Sequence, residues 1–277
     1  MVRLFAIAAG AVFVLVLLIG ALAPREAAEV DPTVAFHKHP KDVNWSWEAP
    51  AGLGIFGGFD RVQLQRGFQV YKEVCASCHS LNRVAFRNLT DIGFSEPEVK
   101  AIAKNWAVEV PTVDGETGEP ATRPAIPSDR FPLVYANEVA ARAANNNALP
   151  PDLSLITKAR AEGSNYLYSL LTGYEPVPAN FPADRRPVEP LTYNPYFHSL
   201  AIAMPPQLTE GRVTYAEGQP KATVDQMAKD VTAFLTWAAE PKLEERKRAG
   251  LGVVIFLIIL STLSYLSYRR VWADLKK

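Results

Sequence analysis

The sequence predicts a mainly α domain with long loops, followed by one C-terminal transmembrane helix. Three observations carry this expectation. Apolar residues recur at helical spacing in several separate stretches, with clear start signals at Asp60 and Thr223. Proline-rich segments divide those stretches, and no sustained period-two alternation marks a strand. Residues 249–268 form an uncharged apolar run long enough, as a helix, to cross the roughly 30 Å hydrocarbon core of a bilayer.

The N-terminus has the layout of a secretory signal peptide. Residues 4–23 are almost wholly apolar, preceded by Arg3 and followed by the small-residue run Pro24-Arg25-Glu26-Ala27-Ala28. The expected division is a signal in 1–28, an exported domain in 29–245 and an anchor with its tail in 246–277. Cleavage after Ala21-Leu22-Ala23 or near Ala28 fits equally. The same run is also long enough to remain as an uncleaved anchor.

Residues 29–59, rich in Pro, Gly, Trp and Phe, should be an irregular wrapping segment. A helix opens at Asp60, which forms a capping-box-like start with Gln63. Leu64, Phe68, Tyr71 and Cys75 then share one helical face. Gly67 inside that helix costs stability relative to Ala, so its expected use is close approach by another helix. A second helix is expected over 96–106, then a loop over 111–132 holding five prolines. A short helix over 138–144 stops at Asn145-Asn146-Asn147, and another over 164–171 ends at Gly173. Residues 174–195 are a second proline-rich loop. The last soluble helix starts at Thr223, with Gln226 as its capping-box partner, and carries Val224, Met227, Ala228, Val231, Phe234 and Leu235 as an apolar stripe. Pro241 ends it. Tyr265, Tyr268 and Trp272 suit the interfacial belt of the anchor. Basic residues flank the anchor on both sides, so the export signal decides its orientation: exported domain outside, tail in the cytoplasm.

The net charge of zero hides a split. Residues 29–245 hold 20 basic and 27 acidic side chains, a net of −7. Such a domain attracts basic partners and repels nucleic acid. Glu109, Asp114, Glu116 and Glu119 cluster in one loop, which by itself is an ordinary solvated segment.

Cys75-Ala76-Ser77-Cys78-His79 contains both cysteines of the chain. This C-x-x-C-H spacing lets two thiols add to the vinyl groups of a haem and the adjacent imidazole bind its iron, the pattern of c-type haem attachment. A thioredoxin-like site wants a βαβ context, and a closed zinc site wants four ligands; neither is present. A structural disulfide has no use for the histidine. His79 is then one axial ligand. For the other, Met204 lies in Ala201-Ile202-Ala203-Met204-Pro205-Pro206, where prolines fix the backbone. A thioether there stabilises reduced iron and raises its potential. Met227 belongs to the apolar stripe, so core packing is its role. His198 is the rival sixth ligand, while His37 and His39 lie in the N-terminal segment with surface or hydrogen-bonding roles as the default. Arg142 either pairs with a haem propionate or is a solvated helix cation.

Several segments together resemble the cytochrome c1 family of the cytochrome bc1 complex. They include Asp42-Val43-Asn44-Trp45-Ser46-Trp47, the stretch Leu64 to Cys75, Cys78-His79-Ser80-Leu81 and Leu149-Pro150-Pro151-Asp152-Leu153-Ser154. Further matches are Leu170-Leu171-Thr172-Gly173-Tyr174, Tyr193-Asn194-Pro195-Tyr196-Phe197, Ile202-Ala203-Met204 and Trp237-Ala238-Ala239-Glu240-Pro241. The resemblance runs in order over about residues 36–270. It implies a class I cytochrome c-like haem domain, with one covalent haem c on Cys75 and Cys78, His79 and Met204 on the iron, and Arg142 near a propionate. It implies cytochrome b and the Rieske iron–sulfur protein as partners in the inner membrane, with the haem domain on the periplasmic side. Electrons would pass from the Rieske protein to this haem, then to a basic soluble or anchored cytochrome c; the chain itself would carry no catalysis. Asn147 stands where the family often has Gly, so that turn calls for a left-handed Asn. His198 stands where the family usually has Pro or a small polar residue, which keeps bis-histidine ligation open. Two other readings remain at this point: an anchored cytochrome c of another respiratory complex such as a terminal oxidase, and a haem sensor or peroxidase with an open sixth site.

Overall fold

A computed structural model of the chain describes residues 2–23, 31–48 and 57–273. The candidate cut near Ala28, the boundary at residue 28 and the end of the tail lie outside the described residues. The chain divides into two units, 1–35 and 36–277. In the first, helix α1 (Val2–Leu22) is apolar after Arg3, exposed, and long enough to cross a membrane.

The second unit is built on two crossed helices, α2 (Arg61–Val70) and α6 (Val224–Ala239). Both begin where the start signals place them. Asp60 accepts from the Val62 and Gln63 amides at 2.9 and 3.3 Å, and Thr223 Oγ1 accepts from the Gln226 amide at 3.1 Å. The reciprocal half of each expected capping box does not form. Gln63 and Gln226 instead both donate to Asp230 Oδ1, at 3.2 and 2.9 Å. Arg66 completes the set, with Nε 2.9 Å from Oδ2 and Nη2 3.1 Å from Oδ1. Asp230 is fully buried, and a buried carboxylate must be paired and hydrogen-bonded. The glutamines are therefore spent on it.

Gly67 sits at the crossing. A Cβ there would lie 2.0 Å from the Asp230 carbonyl oxygen and 2.7 Å from Phe234 Cβ, so the two backbones meet where only glycine fits. Around this contact Leu64, Phe68 and Tyr71 of α2 pack with Met227, Val231, Phe234 and Trp237 of α6. Met227 is core, as its place on the stripe implies. Each such side chain contributes about 1.5–3 kcal/mol on burial. A 3-10 turn (Phe86–Ile92) closes the same core with Phe86, Leu89 and Ile92.

Three local differences from the sequence expectation have physical causes. Helix α2 does not run straight to the haem motif. It widens into a π-helical turn (Tyr71–Cys75), in which the Ala76 amide donates to the Tyr71 carbonyl at 2.8 Å. Helix α3 (Glu96–Lys104), capped by Ser95 with Glu98, stops before Trp106, whose ring turns inward to lie 4.9 Å from that of Phe131. The expected loop over 111–132 contains an antiparallel hairpin, β1 (Val110–Val113) with β2 (Pro120–Arg123). Its strands are four residues long and contain prolines, which an isolated two-stranded edge tolerates but which conceal the alternation.

Helix α4 (Glu138–Ala144) is capped by Asn137, and α5 (Gly163–Thr172) packs on α6. After α4 the chain turns through Asn146 and Asn147, both left-handed at φ 51° and 63°, which is the conformation the Asn run requires. A second short pair, β3 (Thr192–Tyr193) with β4 (Ala201–Ile202), rests on a small separate cluster of Phe181, Tyr193 and Leu200.

Helix α7 (Leu243–Val271) is 29 residues long, about 43 Å, and exceeds a hydrocarbon core. The surplus lies in its first turns, ahead of the expected boundary at 246. Glu244 accepts from the Phe59 amide at 2.7 Å and from Arg61 at 3.0 Å. Lys247 donates to the Trp47 carbonyl, and Glu240, just before α7, is held by Lys158 and Arg246. Trp45 and Trp47, stacked at 4.9 Å, are buried in the core, so this part of the expected wrapping segment packs on the domain.

Candidate functional site

Cys75, Cys78 and His79 occupy one turn. The Cys75 carbonyl accepts from the Cys78 amide at 3.1 Å and the His79 amide at 2.9 Å, which folds the motif back on itself and brings all three side chains to one end of α2. Both thiols are free and half-buried. Burial, then the neighbouring Cys78, pushes the Cys75 thiol up to about 12.

The segment after His79 is zipped to residues 151–154. The Leu153 amide donates to the Ser80 carbonyl, and Asp152 accepts from the Asn82 amide at 2.8 Å and the Ser154 amide at 2.9 Å. This places the Pro151 carbonyl 2.8 Å from His79 Nδ1. A carbonyl can only accept, so Nδ1 carries the proton and Nε2 keeps its lone pair. Burial lowers the His79 pKa against the opposing effect of Pro151, which favours the neutral, ligating form. Tyr71 hydroxyl donates to the His79 carbonyl at 3.1 Å.

Met204 follows β4 and is half-buried. Its carbonyl accepts from the Tyr174 hydroxyl at 2.9 Å. The other histidines are exposed. His39 pairs with Glu162 at 3.0 Å, His198 lies against the Phe197 ring, and His37 is on the surface. Arg142 is exposed, and its Nη1 donates to the Asn147 carbonyl at 3.0 Å, so the guanidinium ties off the Asn turn. Sequence reasoning on single residues missed Tyr71, Pro151, Asp152 and Tyr174. Their signal was their place inside the matching segments, where no spacing rule names them.

The donor set fits a haem iron. Among the described residues, no group of three or more His, Cys, Asp or Glu side chains gathers to hold a metal by itself. A lone imidazole with a fixed tautomer beside two free thiols suits a metal that brings its own ring of nitrogens. The helical fold and this site define the chain as a haem-bearing cytochrome.

A profile described as the Cytochrome C1 family matches residues 51–275. The chain is 44% identical over 255 residues to cytochrome c1 of Rhodospirillum rubrum, covering 88% of this chain and 89% of that protein. It is 50% identical over 224 residues to the mitochondrial heme protein cytochrome c1-2 of Solanum tuberosum, covering 80% and 83%. It is 46% identical over 238 residues to the mitochondrial cytochrome b-c1 complex catalytic subunit of Candida albicans, covering 86% and 79%. The chain belongs to the cytochrome c1 family. Its function is electron transport as the membrane-anchored haem subunit of the bc1 complex, with α7 as an apolar helix long enough to be the anchor.

Proposed function

We propose that a single haem c is bound covalently through Cys75 and Cys78, with His79 and Met204 as its axial ligands. When bound, the haem supplies a one-electron Fe(III)/Fe(II) couple. The remaining work belongs to the chain. Pro151 fixes the His79 tautomer, leaving the Nε2 lone pair as the one that would bind the metal. Met204 supplies a soft thioether that favours the reduced state and raises the potential. Arg142 must share its guanidinium between the Asn147 carbonyl and any propionate. The His79–Pro151 contact is the observation that carries this reading.

In the same reading, residues up to about 28 are a signal, the haem domain is periplasmic, and α7 crosses the inner membrane with its tail in the cytoplasm. The partners are cytochrome b and the Rieske protein, and a basic soluble or anchored cytochrome c receives the electron. The exposed acids of the β1–β2 hairpin support that last step. Glu109, Asp114, Glu116 and Glu119 all face solvent, and Asp114, held by the Glu116 and Thr117 amides, stays below the usual carboxylate range. A fixed negative patch speeds encounter with a positive partner.

The oxidised protein is expected to show the weak long-wavelength charge-transfer band of methionine bound to ferric haem, and the reduced protein to resist carbon monoxide. Met204→Leu should leave the haem attached and lower its potential by roughly hundreds of millivolts, within the span that axial ligands set. An unchanged titration would remove Met204 from the iron.

A further inference from the structure

Each residue assigned to the iron has its backbone carbonyl held by a tyrosine hydroxyl, one from the core and one from the loop that follows α5. Tyr71 holds His79, and Tyr174 holds Met204. The first hold is redundant, because His79 is also fixed by Pro151 and by its place within the Cys75–Cys78 turn. Among the described residues, the Tyr174 hydroxyl is the one donor to the Met204 carbonyl.

Tyr174 is well placed to act as a reference point. It follows Gly173, where α5 ends. A Cβ on Gly173 would lie 2.3 Å from the Tyr196 ring and 2.5 Å from the Ser169 carbonyl, so α5 ends in direct contact with the segment that leads into the Met204 loop. Fully buried Asn194 adds a second tie, its Nδ2 donating to the Leu170 carbonyl at 2.8 Å while its amide donates to the Leu200 carbonyl at 3.0 Å. The loop is thus measured off α5 at two points: Asn194 near β3, and Tyr174 at Met204 itself.

We propose that Tyr174 is the positioning residue of the sixth ligand, its hydroxyl fixing the Met204 carbonyl so that the thioether stays on iron. This rests on the assignment of Met204 as ligand. Tyr174 touches the ligand residue's backbone, not the haem, and acts only through it.

The test is Tyr174→Phe in the full chain within its membrane complex, beside Met204→Leu. Phenylalanine keeps the ring and removes only the donor. Haem content should match the unaltered protein. The charge-transfer band should bleach at a lower temperature, and the carbon monoxide-reactive fraction of the reduced protein should rise about fivefold, the factor an ordinary hydrogen bond implies. If the band melts as before and carbon monoxide reactivity is unchanged, while Met204→Leu abolishes the band, Tyr174 has no positioning role and Met204 remains the ligand. If the band survives in Met204→Leu, both assignments fall.

Discussion

The turn that carries His79 and the loop that carries Met204 are supported by very different amounts of structure. Cys75 to His79 extends from α2, which is locked to α6 through Gly67, the Asp230 network and the main core. Met204 extends from a two-residue strand whose apolar support is a cluster centred on three side chains. One side is a foundation and the other a bracket. The difference teaches that release of the Met204 loop and loss of the fold are separable events, with the bracket yielding first.

The largest expected effect would abolish the comparison by destroying the foundation. Asp230→Ala leaves Arg66 without its buried partner and strips an acceptor from Gln63 and Gln226. Breaking such a pair costs about 3–5 kcal/mol. Thermal melts should show the whole domain unfolding earlier, with haem yield falling; a melt like that of the unaltered protein would show that α2 and α6 do not depend on the network.

A smaller effect should touch the bracket alone. Leu200 is 1% exposed and left-handed at φ 59°. Leu200→Ala keeps that backbone cost and empties the small cluster, for about 2–3 kcal/mol of local stability. The charge-transfer band should melt early while helical circular dichroism melts nearly as before. Simultaneous loss of both would merge the two regions into one cooperative unit.

The smallest effect is a pH dependence. Asp225 on α6 holds the Tyr168 hydroxyl of α5 and the ammonium of Lys229, with Lys41 nearby. Lys229 foremost, then Tyr168, keeps its carboxyl below the usual range. Its stabilising contribution is therefore complete above the ordinary carboxylate pKa and is lost as pH falls below about 4, through the lowered value. Because the pair is exposed, the effect should stay under about 1 kcal/mol. Hydrogen exchange of α5 amides should quicken in acid ahead of those in α2; equal quickening would argue against a softer Met204 side.

Much of the foundation was legible in the sequence. The α2 and α6 starts, the need for glycine at 67, the stripe holding Met227 and the apolar anchor all follow from local periodicity and sterics. The C-x-x-C-H turn was legible because its chemistry depends on spacing alone. What escaped was set by long-range geometry. Gln63 and Gln226 look like capping partners until a buried carboxylate competes for them. The π-helical turn at Tyr71–Cys75 has no sequence mark, and the hairpin strands are too short and too proline-rich to alternate visibly. Arg142 looked free for a propionate, yet the Asn147 carbonyl lies within its reach. The roles of Tyr174 and Pro151 required knowing which carbonyl meets which donor across more than twenty residues of chain.

The charged collar at the base of α7 has a further consequence. With Glu244 on Arg61 and the Phe59 amide, Lys247 on the Trp47 carbonyl and Glu240 between Lys158 and Arg246, the anchor cannot swivel freely beneath the domain. The first turns of α7 and the domain they touch thereby move as one body, so a turn of the helix about its own axis must carry the domain with it.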